Sequence, residues 1–206
     1  MSLNQLLRTA PIAVVLAATA MTAGPAAQAR PPLGIDTARV TIAGSSNIHE
    51  YTASSTTVRV TRVKVGAAVT PDAFWSEVVK PGALEGFEIA VPAASLSSPK
   101  AGLDKNMHKA LKVEQFPDIT FRLTRLEGAS AGAVKAVGVL RIAGVEREVV
   151  LDLKTTRKDS LLVVTGSLPL LMTDYGIKPP VAMLGMLKTD PKVTVSFETV
   201  LAVPLT

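Results

Sequence analysis

The 206-residue chain contains no cysteine. Disulfide staples are therefore excluded, and so is the lipid-modified cysteine that tethers some exported proteins just behind their leader. Stability has to come from burial alone. Aromatic residues make up only 4% of the chain and histidine occurs twice. Such poverty argues against the stacking platforms of single-stranded nucleic-acid binders and leaves little for an imidazole-based metal centre. Charge of one sign is scarce too: 22 Lys and Arg stand against 17 Asp and Glu, spread singly rather than in runs. The pattern reads as a solvated outer face, with no nucleic-acid partner expected. Finally, no hydrophobic run reaches the ~20 residues that span a bilayer.

What is present begins with a leader-like segment. Arg8 is the only charge before Arg30; it precedes an Ala-rich apolar run from Pro11 to Met21, and then Ala27-Gln28-Ala29 puts small residues where a signal peptidase reads. This architecture predicts a secretory signal cleaved after Ala29, leaving residues 30–206 as a soluble protein of the periplasm or the medium. Later segments are all interrupted by charges, Pro or Gly, so none is expected to cross a membrane. No Ser/Gly-rich linker and no repeat divides the remainder, which has the length of one ordinary domain.

Within that domain apolar residues recur with a period of two. Val40 and Ile42 alternate with Arg39 and Thr41; Phe87, Ile89 and Val91 flank Glu88; Val193, Val195 and Phe197 alternate with Thr194, Ser196 and Glu198. That spacing puts one dry and one wet row on the two faces of a strand. Between Val58 and Val65 the phase flips where Thr61 and Arg62 sit side by side, which predicts a β-bulge. Further strands are expected at Thr120–Leu126, Val134–Ile142, Glu148–Lys154 and Leu161–Met172. Gly128–Gly132, Ala143-Gly144 and Lys158-Asp159-Ser160 form the turns. Many short strands with tight turns point to an all-β barrel or sandwich. Two short helices interrupt it. One begins at Thr70-Pro71-Asp72 and carries Phe74, Trp75, Val78 and Val79 at helical spacing. The other runs from Asp104 to about Val113, with Leu103, Met107 and Leu111 on one face and Lys105, Lys109 and Lys112 off it, and is expected to lie on the barrel or over its mouth.

Catalytic chemistry would need a nucleophile with a base, paired carboxylates, a phosphate cradle or a metal cluster, and none stands out. His49 and His108 show no metal-ligand spacing and read as a polar residue near a strand end and one on a helix surface. Gly-x-Ser-x-Gly is absent, and the glycines are too scattered for a nucleotide loop. The most distinctive run, Asp174-Tyr175-Gly176-Ile177-Lys178-Pro179-Pro180, reads either as a stiff strand exit or as a rigid segment placing the apolar residues that follow. Met172, Met183 and Met186 either fill a core or line an adaptable apolar surface.

Several ordered pieces together resemble the YceI-like family of bacterial periplasmic proteins. They are Ile42-Ala43-Gly44-Ser45-Ser46-Asn47-Ile48-His49; Asp104-x-x-Met107-x-x-x-Leu111 followed by Phe116-Pro117-x-Ile119-x-Phe121; Gly138-x-Leu140-x-Ile142-x-Gly144-Val145; the Asp174–Pro180 run; and Asp190-x-x-Val193-x-Val195-x-Phe197. The segment Pro71–Pro81, with Phe74 and Trp75, departs from the family's usual short connection.

The resemblance implies a single antiparallel lipocalin-like β-barrel of about eight strands that binds a polyisoprenoid, an isoprenoid quinone or a fatty-acyl lipid in its interior, without a cofactor or a metal. On that view Met107, Leu111, Phe116, Phe121, Met172, Ile177, Met183 and Leu184 are the expected apolar contacts. The alternative is a non-catalytic structural or stress-related envelope protein whose barrel is filled by its own side chains. An enzyme acting on a bound lipid is a third reading, disfavoured by the missing nucleophile and base. Whether two copies pair as a homodimer is open at this level.

Overall fold

The computed structural model describes residues 33–66, 73–130, 132–182 and 186–203. The leader-like segment, the cap Thr70-Pro71-Asp72, and Met183 and Leu184 lie outside them. Among the described residues ten strands and two α-helices follow one another: β1 (Gly34–Ser46), β2 (Glu50–Ser55), β3 (Arg59–Val65), α1 (Phe74–Glu77), β4 (Leu84–Pro92), α2 (Ala101–Leu111), β5 (Asp118–Ser130), β6 (Ala133–Ile142), β7 (Val145–Lys158), β8 (Leu161–Leu171), β9 (Val181–Ala182) and β10 (Leu187–Ala202). All pairings are antiparallel, in the order β2-β1-β10-β8-β7-β6-β5-β4-β3, with β9 a short flap on β10.

The two edges of this sheet, β2 and β3, are consecutive in the chain, joined by residues 56–58. One run therefore pairs with β1 through its first half and with β4 through its second. Ser54 also exchanges both backbone hydrogen bonds with Ser97, just beyond β4, at 2.8 and 3.0 Å. The sheet thus curls back on itself as a lipocalin-like barrel, which covers the edges that an open sheet would expose.

Sequence alternation becomes the two faces of this wall. On β8, Leu162, Val164, Leu168 and Leu170 face inward, with Gly166 in the same row. On β10 the inward set is Leu187, Thr189, Val193, Val195, Phe197, Thr199 and Leu201. The predicted bulge is present: Val60 pairs with Ile89 and Arg62 with Glu88, so Thr61 is the extra residue and its neighbours recover their phase. A second irregularity in β10 accommodates Pro191, since Gly44 pairs with Val193 but Ser46 with Thr189.

Two of the three expected turns sit where read, whereas Gly128–Ser130, expected to turn, continue strand β5. Ala143-Gly144 links β6 to β7 with both residues at positive φ, the geometry of a two-residue hairpin, and Asp159 turns β7 into β8 at φ 53°. Three expectations shift in detail. Strand β2 adds a member the alternation did not reveal. Strand β8 ends one residue early because Met172 opens a 3₁₀ turn, Met172–Tyr175, stopped by Gly176. Helix α2 starts at Ala101 rather than Asp104, because the Asp104 carboxylate reaches back to accept the Ser98 N–H at 2.8 Å and so serves the first turn instead of capping it. It stops at Lys112, whose left-handed φ of 55° turns the chain away.

Candidate functional site: an apolar bore

The inward rows do not fill the barrel. They enclose two chambers, of about 310 and about 210 Å³. Both are bordered by Val40, Val91, Ile119, Leu140 and Val195, which form a shared waist from five different strands. The chambers therefore lie end to end along one bore with almost entirely apolar walls.

The far chamber is plugged. Helix α1 sets Phe74, Trp75 and Val78 against Leu33 and Leu162. The two rings meet edge to face at 5.2 Å, and the Trp75 indole N–H donates to the Ser160 carbonyl at 3.1 Å, so burying the ring leaves no unpaired donor. In this way α1 seals one end of the bore.

The near chamber is covered by α2, which presents Leu103, Met107, Ala110 and Leu111 to the bore. Two polar tethers hold the helix. Asp104 accepts from Ser98 as described, and His108 Nε2 lies 2.8 Å from the Leu96 carbonyl. His108 is thus a positioning group under the helix rather than a residue of its outer surface. Around this end, Ser46, His49, Tyr51, Asn106 and Thr189 supply polar atoms to an otherwise apolar lining. Burial, then the carboxylate of Asp190, raises the Tyr51 phenol above its ordinary value. Burial, then Asp174, raises Tyr175, with Arg147 opposing. Both hydroxyls are neutral donors at any physiological pH. Among the described residues no group of three or more His, Asp and Glu could hold a metal ion.

Glycines keep the bore open. Gly166 pairs directly with Phe197, and a Cβ placed on it would lie 2.6 Å from that ring. A Cβ on Gly138 would lie 2.5 Å from the Phe121 ring and 2.6 Å from the Arg122 carbonyl oxygen. Each aromatic ring occupies the space that a side chain would take at a glycine of the neighbouring strand.

Of the eight expected contact residues, Met107, Leu111, Met172 and Ile177 line the near chamber and Phe121 the far one. Phe116 lines neither. Its ring packs over Gly144 of the β6–β7 turn, with the Arg141 guanidinium 5.9 Å from the ring centre, because the chain turns away from the bore between Lys112 and Pro117. Met183 and Leu184 lie outside the described residues. The residues not anticipated from sequence are the strand positions of the waist and the polar set Ser46, His49, Tyr51, Asn106 and Thr189. The waist positions carried a signal, the alternation of Val40-x-Ile42 and Val193-x-Val195; of the polar set only Ser46 and His49 fell in a run that stood out, Ile42 to His49.

A curled antiparallel sheet around an apolar bore, plugged by one helix and covered by another, defines a lipocalin-like barrel. The chain belongs to the YceI-like domain family, whose model matches residues 34–201. Solved structures agree on the fold. The Burkholderia cenocepacia protein BcnA superposes with a TM-score of 0.63 at 13% identity, over 79% of this chain and 95% of that one. A Saccharophagus degradans polyisoprenoid binding domain implicated in plant cell wall breakdown gives 0.62 at 14% identity, over 85% and 100%. The YceI protein of Campylobacter jejuni gives 0.54 at 14%, over 76% and 82%. No curated protein sequence matches the chain.

Proposed function

We propose that this protein is an exported carrier that holds a long-chain amphiphile, an isoprenoid or fatty-acyl lipid, with its tail in the bore. The carrying observation is the pair of end-to-end apolar chambers of about 310 and about 210 Å³, a size and polarity suited to a slender hydrocarbon. Burying tail contributes ~0.8 kcal/mol per CH₂, so roughly ten methylenes supply ~8 kcal/mol before the cost of association. Affinity then requires no charged contact and no reaction. The described relative from Saccharophagus degradans, a polyisoprenoid binding domain, supports the same class of ligand, and the leader-like pattern of Arg8, the Pro11–Met21 run and Ala27-Gln28-Ala29 supports export. The alternative of a barrel filled by its own side chains is at odds with chambers of this size.

The test is to purify the protein from its native envelope under mild conditions and identify co-extracted lipids by mass spectrometry. One stoichiometric long-chain species is the expected result. An empty protein that also fails to take up isoprenoid or acyl probes would return the barrel to a structural role. Fractionation with sequencing of the mature N-terminus checks export, which predicts a start at Arg30.

A further inference from the structure

Among the described residues, the most exposed large apolar side chains sit at the lip of the near chamber. Ile48 is 59% exposed, Val181 60% and Met186 66%. They are distant in sequence but held together. The Asn47 amide donates to the Met186 carbonyl at 2.8 Å and its oxygen accepts from the Lys188 N–H at 2.8 Å, stapling the β1–β2 turn onto the start of β10. Val181 pairs with Lys188 across the β9–β10 ladder. The residues beside them, Ser46, His49, Pro180 and Leu187, line the chamber itself, so this apolar tip borders the bore's opening.

Lysines lie at the same end of the barrel as the tip. Lys188 is exposed beside Val181, and the outer side of α2 carries Lys105, Lys109 and Lys112 within one narrow angular stripe opposite its bore-facing residues. Among the described residues none of these lysines is in an ion pair; the pairs formed use Arg59, Lys64, Lys80, Arg122, Arg125 and Lys135. Of the nearby acids, Asp104 accepts from the Ser98 N–H and Asp190 from the Lys192 N–H, and Glu50, two residues from Ile48, is exposed and in none of the ion pairs among the described residues.

A water-exposed cluster of Ile, Val and Met, stapled rigidly at the opening of a hydrocarbon-sized bore and flanked by unpaired lysines, matches the chemistry of an anionic phospholipid surface. We propose that the lip formed by Ile48, Val181 and Met186 docks this protein onto an anionic bilayer, bringing the near chamber against the membrane. Such docking would let an acyl or prenyl tail pass into the bore without crossing water. The proposal extends the tail-carrier reading, and docking is measurable separately from tail uptake.

The experiment is co-flotation of the mature protein with vesicles of phosphatidylglycerol and phosphatidylethanolamine, compared with phosphatidylcholine alone. Binding to the anionic vesicles that weakens with added salt is expected. The pair Ile48→Asp with Met186→Asp should reduce partition by at least about tenfold. Each of Lys105→Gln, Lys109→Gln and Lys112→Gln should reduce it about fivefold. Val150→Asp, on the barrel wall with 49% exposure, should change nothing. Circular dichroism establishes that each variant folds, and Met186→Ser gives a milder version should the double variant not. No partition into anionic vesicles, or an equal loss with Val150→Asp, overturns the proposal. So does a concentration-dependent dimer that the lip substitutions abolish, since the partner would then be a second copy of the chain. Vesicle binding by a protein that takes up no solvent-delivered long-chain probe would leave the docking surface standing and remove the tail-carrier reading instead.

Discussion

The two ends of the bore are built from the same materials and do opposite things. At the plugged end, Val78 is only 2% exposed, Phe74 and Trp75 stack edge to face, and the indole N–H is paired. At the covered end, polar groups reach the lining, α2 is held by two side-chain tethers, and Ile48, Val181 and Met186 project into water. Both ends use a short helix; the difference lies in what the helix buries. Helix α1 buries whole aromatic side chains in a packed cluster with Leu33 and Leu162 that closes its end of the bore, whereas α2 lays one apolar stripe across the near chamber as a roof. A packed plug contributes stability, and a tethered roof leaves a way into the space beneath it.

The largest expected effect that tests this contrast is Trp75→Ala. Removing a packed ring and its hydrogen bond should cost about 3–5 kcal/mol of unfolding free energy, read from urea denaturation. A loss below about 1 kcal/mol would mean that α1 is a loose lid rather than a plug. Next, Phe121→Asp puts a charge in the apolar wall between the two ends and should abolish retention of a long-chain probe. A folded Phe121→Asp protein that still retained the probe would confine the ligand to the roofed chamber. Asp104→Ala should cost about 1–2 kcal/mol through the unpaired Ser98 N–H and the lost first-turn charge. If α2 is a roof, probe release should quicken more than stability falls, which stopped-flow exchange beside denaturant titration would resolve.

The smallest effect concerns pH. The native fold holds the Tyr51 and Tyr175 protons more tightly than the unfolded chain does, so stability is fully present below the unfolded phenol value of 10.0 and declines as pH rises through and above it. The melting temperature should therefore fall across that alkaline range, and Tyr51→Phe should flatten part of the fall. An unchanged slope would place the coupling at Tyr175 instead.

Much of the wall was legible from spacing because the period-two rule is local: one residue's face follows from its neighbour's, whatever the strand pairs with. Even the break at Thr61 could be read, since a bulge leaves a phase flip in the apolar pattern. Strand β2 escaped because its inward residues, Tyr51, Ala53 and Ser55, include small and polar side chains that carry no alternation signal. Ser55 is nevertheless 4% exposed, its hydroxyl 2.6 Å from that of Ser95 across the closing seam. Phe116 and Phe121 are five residues apart and equally apolar, yet one covers the outside of a turn and the other lines the bore. Phe116 lies in the connection ahead of β5 and Phe121 inside that strand, and the side Phe116 takes goes with contacts to Gly144 and Arg141 that no local pattern records.

By itself, then, the sequence determined most of the strands, which of their faces are dry, where several turns fall, and that no disulfide takes part. Those properties follow from steric periodicity and burial within a few residues. Tertiary structure alone decided that the dry faces enclose space rather than fill it, that α1 plugs while α2 roofs, and that Ile48, Val181 and Met186 meet at one lip. Cavity volume, register and closure depend on side chains brought together from several strands, and only the completed barrel sets those distances.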